Sequence, residues 1–445
     1  MRIAASGKAD GTRYFSPWPD NTLDALPETE RVARVREVLR ASVERQLLAD
    51  VPVGLFLSGG VDSTALLALA SEIKSEPPRT FSVGFVEPTE LDEAAYAATI
   101  ADRFGSRHTE VRIGARDVAL SLDEMVFEQD EPIADWVCLP LRAVARSAHE
   151  AGIKTVLCGE GADEQFCGYE HYLRYLDIAA GPHKWISALH TLGAGRPIAA
   201  LADFIGGQDL RRSFHADFLR RAALGQEAFW GGAIVFTDGM KRSIWRGGLP
   251  AQSIDPRLGA AGFDIIPWDE PSSAVVSALL APLDAAEPNA EPLQRMIWLE
   301  LAQRLPELLL MRVDKMCMAS SLEARVPFLD LEIVRMAAQF GRESKIPGRR
   351  PKHLLKQALR GIVPDDVLDR RKKGFGAPMC DWLRGDLGIE LRRRMADSTV
   401  YQTLPLDREA CLRLIDLHYA GERDYSIYIW ALFNLAAWHD RWCAA

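Results

Sequence analysis

The hexapeptide SGGVDS at residues 58–63 restricts what this 445-residue chain can fold into more than any other stretch. The apolar run before it, residues 53–57, has the length of a buried parallel strand, and the Ala- and Leu-rich residues 63–70 after it favour a helix. A strand, a glycine turn and a helix in this order present backbone N–H groups and the positive end of the helix dipole to an anion. The stretch therefore predicts an anion-binding loop.

The residues of this loop indicate which anion it binds. Gly59 and Gly60 let the backbone approach a ligand closely, and Ser58 and Ser63 add hydroxyl donors. The loop has neither the Gly-Lys-Ser/Thr of a Walker A site nor the G-x-G-x-x-G of a dinucleotide fold. Because the Asp62 carboxylate repels phosphate unless a cation lies between them, the loop is interpreted as one for pyrophosphate and Mg²⁺.

Strands and helices alternate along the first 180 residues. The patterns predict further strands at 79–85, 107–113 and 154–158, and helices at 30–49, at 92–104 with Asp92 as N-cap, and at 115–127. This alternation predicts an α/β fold in which a parallel sheet carries helices on both faces. Because ligands bind beyond the carboxyl ends of such strands, the loops after the first, second and fourth strands predict a single site.

The fourth strand runs into a second glycine-rich loop, CGEGADE at residues 158–164. An isolated aspartate in such a loop is more often a turn or N-cap residue than a ligand. As a pair after two strands, Asp62 and Asp163 instead favour contact with a metal ion and pyrophosphate. Glu160 lies between two glycines, which is too constrained for a freely solvated surface carboxylate.

A basic run, RRKKGFG at residues 370–376, is the second strong local signal. Such runs usually form a solvated face, but this one continues into an apolar, turn-forming Gly-Ala-Pro sequence that folds the cations back onto the protein. A cation of this run, Lys372 or Lys373, is a candidate for stabilising negative charge in a site. Upstream, Glu323 and Arg325 are predicted to form a buried ion pair.

Composition excludes several classes of protein. The net charge of −9 disfavours a nucleic-acid-binding surface, and no uncharged apolar stretch near 18 residues predicts a membrane span. Seven scattered cysteines without a C-x-x-C pair fit neither a zinc site nor a disulfide framework. Four histidines are considered as metal ligands, and none has a partner at a spacing that suggests a metal site: His108, His149, His171 and His439. We therefore expect a soluble cytoplasmic protein.

These motifs together resemble one known family. SGGVDS is similar to the PP-loop of the ATP pyrophosphatases, which split ATP between its α and β phosphates, and residues 158–164 resemble S-G-E-G-[AS]-D-E. Residues 370–375 resemble R-x-K-x-G-F, and residues 315–330 resemble a further long signature. Over residues 30–440 the chain looks like the synthetase domain of the asparagine synthetase family.

The resemblance implies ATP and Mg²⁺ as cofactors and a role for each matching residue. Asp62 and Asp163 correspond to the metal–pyrophosphate aspartates, Glu160 to the glutamate that forms and uses the acyl-adenylate, and Lys372 to the charge-stabilising lysine. The remaining positions correspond to nucleotide or phosphate contacts: Leu57, Ser58, Gly59, Gly60, Ser63, Val83, Gly84, Cys158 and Gly159. Leu57 and Val83 have a second interpretation, because the core of a parallel sheet requires the same apolar residue types as a nucleotide contact at these positions.

Three departures from the family pattern bear on function. Cys158 replaces a serine or threonine and Cys167 replaces a glycine, and both changes could alter which carboxylate binds. The family's glutaminase domain begins with a cysteine directly after the initiator Met, whereas residue 2 here is Arg and no cysteine precedes Cys138. We therefore expect ammonia-dependent activity without glutamine-dependent activity.

The reaction implied is amidation of a small carboxylate by ammonia through an acyl-adenylate, with aspartate giving asparagine, AMP and pyrophosphate as the default. A sugar acid, a peptide or a secondary metabolite is the alternative acceptor, and a separate glutaminase subunit or domain is a candidate partner. Two alternatives come from other functional classes. A PP-loop tRNA-modifying enzyme would have a basic surface and often a metal-binding cysteine set, and the net charge of −9 and the lack of a C-x-x-C pair argue against both. A non-catalytic partner subunit would be expected to have lost one or more of four motif residues, but all four are present: Asp62, Asp163, Glu160 and Lys372.

The predicted domains follow these signals. Residues 1–29 are predicted to be a linker-like strap, and residues 30–180 the α/β core. Residues 181–300 contain short helical runs, and the resemblance implies a mainly helical insertion there. Residues 301–445 show helical periodicity and are predicted to form an α-helical C-terminal subdomain, with four residues in its core: Trp430, Leu432, Leu435 and Trp438.

Overall fold

The fold was analysed in a computed structural model. It describes residues 2–3, 9–10, 15–16, 18–191, 193–206, 210–232, 234–246, 272–372, 374 and 376–444. The chain forms two compact units. The sheet unit comprises Asn21–Gly168, Leu305–Thr403 and Arg408–Ala445, and the helical unit comprises Met1–Asp20, Tyr169–Arg304 and Leu404–Asp407. Within the described ranges, no helix combines the length and the apolar character that crossing a membrane requires.

A five-stranded parallel sheet organises the sheet unit. Its strands are β1 (Val53–Phe56), β2 (Arg79–Phe85), β3 (Arg107–Ile113), β4 (Thr155–Leu157) and β5 (Glu323–Arg325), in the spatial order β3-β2-β1-β4-β5. The strand order reverses direction between β1 and β4, which makes this pair the topological switch point where parallel sheets bind ligands. In this pair Val53 lies opposite Thr155 and Leu55 opposite Leu157.

Helices cover the sheet and continue to the C-terminus. The first six are α1 (Glu28–Gln46), α2 (Val61–Ile73), α3 (Ala94–Arg103), α4 (Ala115–Gln129), α5 (Cys138–Glu150) and α6 (Ala162–Phe166). Helix α2 buries eight consecutive residues, Ser63 to Ala70, because it lies in the central core beside β1. A helix that is apolar all round needs such a position, since a surface helix keeps one polar face.

The helical unit contains the next helices. These are α7 (Glu170–Ala180), α8 (Pro182–Thr191), α9 (Gly195–Gly206), α10 (Leu210–Ala223), α11 (Asp238–Ile244), α12 (Ser272–Ala286) and α13 (Pro292–Leu299). A two-residue strand pair, Arg2–Ile3 with Ala9–Asp10, also lies in this unit. The described part of the predicted 181–300 insertion is mainly helical, whereas residues 192, 207–209, 233 and 247–271 lie outside the described residues.

The chain leaves the helical unit through π-helical turns at Glu300–Leu310. The later helices of the sheet unit are α14 (Met311–Met318), α15 (Leu331–Ala338), α16 (Arg342–Lys345), α17 (His353–Leu359), α18 (Asp365–Leu368), α19 (Met379–Trp382), α20 (Asp386–Asp397), α21 (Val400–Thr403), α22 (Arg408–Tyr419) and α23 (Ser426–Trp442). Short 3₁₀ turns occupy Thr22–Ala25, Pro327–Leu329 and Pro347–Arg349. Trp430 and Leu432 are buried in the core as predicted, while Leu435 and Trp438 are half-buried.

Three local expectations need correction. Residues Glu323–Arg325 form the edge strand β5, which is not among the strands predicted from the sequence. Glu323 and Arg325 do pair, at 2.9 Å, yet the Glu323 side chain is 57% exposed, so the pair is not buried. Asp92 does not occupy the N-cap of α3, which is Glu93; its carboxylate instead accepts the N–H of Ala94 at 2.9 Å.

Candidate functional site

The predicted phosphate loop lies at the carboxyl end of β1, where its two serines hold its shape. The hydroxyl oxygens of Ser58 and Ser63 are 3.2 Å apart, and the N–H of Gly60 donates to the Ser58 hydroxyl at 3.3 Å. Gly60 is the N-cap of α2 and has no side chain to cap it. The first turn of this buried helix thus presents its backbone N–H groups at the loop, as an anion-binding site requires.

The loop after β4 lies directly against this phosphate loop. A Cβ atom added at Gly159 would lie 2.9 Å from the Cβ of Asp62, closer than real side chains approach each other. Only glycine therefore allows the two loops to meet at this point. The two predicted aspartates come together because β1 and β4 are adjacent parallel strands.

One ammonium group joins the two aspartates. The Nζ atom of Lys352 lies 2.7 and 2.6 Å from the two carboxylate oxygens of Asp62, and 2.6 Å from Oδ1 of Asp163. Lys352 precedes helix α17 and is only 5% exposed. Sequence analysis did not identify this residue. Its signal was weak, since a single lysine before a helical Leu-Leu pair usually lies at the surface.

The predicted Lys372 reaches the same centre from a separate loop. Its Nζ atom is 2.5 Å from Oδ2 of Asp163, and its side chain is one-third exposed. Lys373, its alternative, lies outside the described residues. Two lysines and two aspartates thus form one cluster in which the positive and negative charges balance.

Gly168 closes the other side of this cluster. A Cβ atom at this position would lie 1.7 Å from Oδ1 of Asp163 and 2.3 Å from Cε of Lys352. Neither atom can give way by that distance, so the position requires glycine. Cys167 before it adopts a left-handed backbone conformation with φ of 59°, which glycine adopts more easily than any other residue.

Burial and charge act in opposite directions on the two carboxyl groups. Burial raises the pKa of Asp62, and the two lysines only partly offset this effect. Burial would also raise the pKa of Asp163, but Lys352 and Lys372 outweigh it and hold this pKa at about 2. Burial lowers the pKa of Lys372, whereas the two carboxylates raise the pKa of Lys352 despite its burial. The cluster therefore keeps Asp163 and Lys352 ionised.

Glu160 faces a different cation. Arg312 on helix α14 donates from Nη2 to Oε1 of Glu160 at 3.2 Å, and from Nη1 to Oδ2 of Asp135. Asp135 precedes helix α5, and its Oδ1 accepts the N–H of Val137 at 2.9 Å. Sequence analysis identified neither Arg312 nor Asp135, because their separations from Glu160 along the chain give no local signal.

The remaining predicted nucleotide contacts lie at or near the ends of the strands. Leu57 and Val83 are buried with 2% and 8% exposure, and a Cβ at Gly84 would lie 2.9 Å from that of Ala94. Their side-chain positions are therefore part of the sheet core. Cys158 is also buried, and burial raises the pKa of its thiol well above the ordinary value.

A second group of possible metal ligands contains Cys380, His418 and Asp424, whose ligand atoms lie within 4.8 Å of one another. The imidazole of His418 is fully used, since Nδ1 accepts the N–H of Tyr425 at 3.0 Å and Nε2 is 2.9 Å from the carbonyl oxygen of Cys380. The first contact makes Nε2 the protonated nitrogen, so neither has a lone pair for a metal ion. We interpret the group as structural.

Comparison with known proteins agrees with this arrangement. The asparagine synthase family profile matches residues 34–440, which is most of the chain. The chain belongs to the asparagine synthase family. This match covers both glycine loops and the basic segment.

Several curated relatives are similar over most of this chain. A putative glutamine-hydrolyzing asparagine synthetase from Mycobacterium bovis is 33% identical over 96% of this chain and 60% of the relative. Glutamine-hydrolyzing asparagine synthetase 1 from Bacillus subtilis is 29% identical over 93% of this chain and 60% of the relative. The amidase ChyE of Penicillium rubens is 26% identical over 86% of this chain and 58% of the relative. The chain thus spans about 60% of the length of these relatives.

Proposed function

We propose that this protein is an ATP-dependent amide ligase that activates a carboxylate as an acyl-adenylate and transfers ammonia to it. The observation that carries the proposal is the cluster at the β1–β4 switch point, where Lys352 joins Asp62 and Asp163 beside the uncapped start of α2. Membership in the asparagine synthase family supports the ligase class and the use of ATP. We assign to the site residues the roles that the sequence predicts for them.

In the first step, the substrate carboxylate attacks the α-phosphorus of ATP and pyrophosphate leaves. The backbone N–H groups at the start of α2 and the Lys352 ammonium hold the β and γ phosphates. Lys372, which is partly exposed beside Asp163, stabilises charge on the α-phosphate. The strained left-handed backbone of Lys352, with φ of 54°, is consistent with a functional constraint on its position.

Asp62 and Asp163 are the residues that would hold Mg²⁺. Their carboxylates converge on a single Nζ atom, so their oxygens are close enough to share a small cation, and hard oxygen ligands are what Mg²⁺ prefers. Bound there, Mg²⁺ would neutralise phosphate charge. The chain's own contribution is to present the two carboxyl groups side by side on loops that follow adjacent strands.

In the second step, ammonia forms the C–N bond and AMP leaves. Glu160, with one oxygen held by Arg312, is the candidate group for taking up the proton that nitrogen loses. Aspartate is the default acceptor, as in the asparagine synthetases named above. Amidation of another carboxylate is the second candidate, supported by the amidase-named relative and by Cys158 and Cys167 beside the site.

The test is ATP–pyrophosphate exchange by the purified protein across aspartate and other carboxylic acids, followed by AMP and amide formation with ammonium. We expect exchange that requires one carboxylate class, and amide formation only when ammonium is added. Asp163→Asn should abolish the exchange while the protein stays folded. Exchange that persists in this variant, or AMP formation independent of any carboxylate, would refute the proposal. Glutamine in place of ammonium tests the prediction of ammonia dependence.

A further inference from the structure

Three side chains from separate elements form a chain of ionic contacts that ends at Glu160. Asp135 is fixed at the start of helix α5 because its Oδ1 accepts the N–H of Val137. Its Oδ2 binds Nη1 of Arg312, and Nη2 of the same guanidinium binds Oε1 of Glu160 at 3.2 Å. Arg312 is 11% exposed and Asp135 18%, so solvent screens this contact far less than a surface pair.

The planar guanidinium makes this geometry rigid. Its five donors have fixed directions, so a guanidinium anchored on one carboxylate determines where a second carboxylate can lie. A lysine in the same place would be a point charge and would restrict direction much less. The fixed position of Asp135 is thereby transmitted to Glu160, which itself lies on a short loop between two glycines.

We propose that Arg312, anchored by Asp135, is a positioning residue that holds Glu160 for amide formation, so that its loss affects the use of the acyl-adenylate more than its formation. This inference rests on the proposed ligase function. In the step concerned, the nitrogen lone pair of ammonia forms the C–N bond. The bond from the acyl carbon to the phosphate oxygen breaks, and its electron pair leaves with AMP. One proton of the nitrogen passes to the Glu160 carboxylate.

The groups proposed for adenylation and for amide formation make separate contacts. We therefore expect amide formation to depend on Arg312 more strongly than adenylation does. The groups proposed for adenylation, Lys352 and Lys372, contact Asp62 and Asp163, whereas Arg312 contacts Asp135 and Glu160. Loss of Arg312 leaves the phosphate cluster unchanged but frees Glu160 to move. A displacement near 1 Å of a reacting group costs roughly 100-fold in rate.

The experiment compares both half-reactions in Arg312→Gln, Arg312→Lys and Asp135→Asn. Arg142→Gln is the matched control, because Arg142 is 15% exposed and pairs with Glu124 and Glu128 without touching either loop of the site. In Arg312→Gln we expect ATP–pyrophosphate exchange within about threefold of wild type and ammonium-dependent kcat at least about tenfold lower. Arg312→Lys and Asp135→Asn should give intermediate losses of the same kind, while Arg142→Gln should keep the ratio of the two rates.

Thermal unfolding of each variant separates this effect from general damage. Equal losses in both half-reactions would overturn the positioning role. It would also be overturned if the ratio of the two rates changed in Arg142→Gln as well, in proportion to the loss of Tm. An Arg312→Gln variant with wild-type amide formation also overturns it. A wild-type protein that exchanges pyrophosphate with no carboxylate and forms no amide refutes the proposed function, and this inference with it. The two failures are thus distinguishable from wild-type data alone.

Discussion

Replacement of Lys352 by Met is the perturbation that tests the central cluster most directly. The Lys352 side chain is 6% exposed, and its ammonium makes three close contacts with the carboxylates of Asp62 and Asp163. Met has a similar length and leaves no large cavity, so the change removes charge rather than volume. Two adjacent carboxylates then share one site with only Lys372, which is one-third exposed, beside them.

The expected loss of stability follows from the cost of uncompensated buried charge. Removing one partner of a buried ion pair typically destabilises a protein by about 3–5 kcal/mol. Protonation sets an upper limit, since neutralising one carboxyl with an ordinary pKa of 3.8 at pH 7 costs about 4 kcal/mol. We therefore expect Lys352→Met to lower the free energy of unfolding by about 3–4 kcal/mol at pH 7 and Tm by about 4 °C.

The pH dependence of this loss distinguishes the charge effect from poor packing. In the wild type, the low pKa of Asp163, about 2, contributes stability that is complete above pH 4 and is lost as the pH falls toward 2. In the variant, burial and mutual repulsion raise the pKa of both carboxyls, so the folded state binds more protons than the unfolded state. The deficit should then shrink on acidification, by about 1.4 kcal/mol per pH unit for one proton.

Urea unfolding of wild type and variant at pH 8, 7, 6 and 5 measures this dependence. Lys315→Met is the control, because Lys315 makes a 2.5 Å contact with the half-exposed Asp130 at the surface and should cost no more than about 1 kcal/mol at any pH. Mg²⁺ should raise Tm more in Lys352→Met than in wild type, since a cation relieves the carboxylate repulsion. A loss that is independent of pH, or no loss at all, would contradict the charge assignment.

Three further predictions concern other parts of the protein. Gly168→Ala should abolish ATP binding measured by calorimetry, because its Cβ would lie 1.7 Å from Asp163, whereas Gly385→Ala, with its nearest atom at 3.6 Å, should not change it. Only the exposed Cys443 should react rapidly with a thiol reagent in the native protein, and Cys443→Ser should remove that phase. Glu323→Gln should change the unfolding free energy by less than about 1 kcal/mol in denaturant titrations.

Much of the sheet followed from local patterns. Strands β2 and β3 have the predicted limits, although only β2 is a largely buried run, whereas β3 is mostly polar and exposed or half-exposed. The helix predicted at 30–49 is Glu28–Gln46 and the one at 115–127 is Ala115–Gln129, differences expected where helix ends fray. Strand β5 was missed because three residues with exposed or half-exposed side chains carry no such pattern. Its strand state comes from pairing with β4, which is a tertiary contact.

The amino-acid sequence alone determined that two aspartates end up at one edge of a parallel sheet, since glycine loops after neighbouring parallel strands meet there. Tertiary structure alone decided which cations meet them. Lys352 is 290 residues from Asp62, and Arg312 is 152 residues from Glu160. Backbone hydrogen bonds within a helix and the spacing of apolar side chains link residues that are only a few positions apart. A buried charge, in contrast, is stabilised by whichever opposite charge the completed fold brings near. Such partners are therefore fixed by packing and leave no local pattern in the chain.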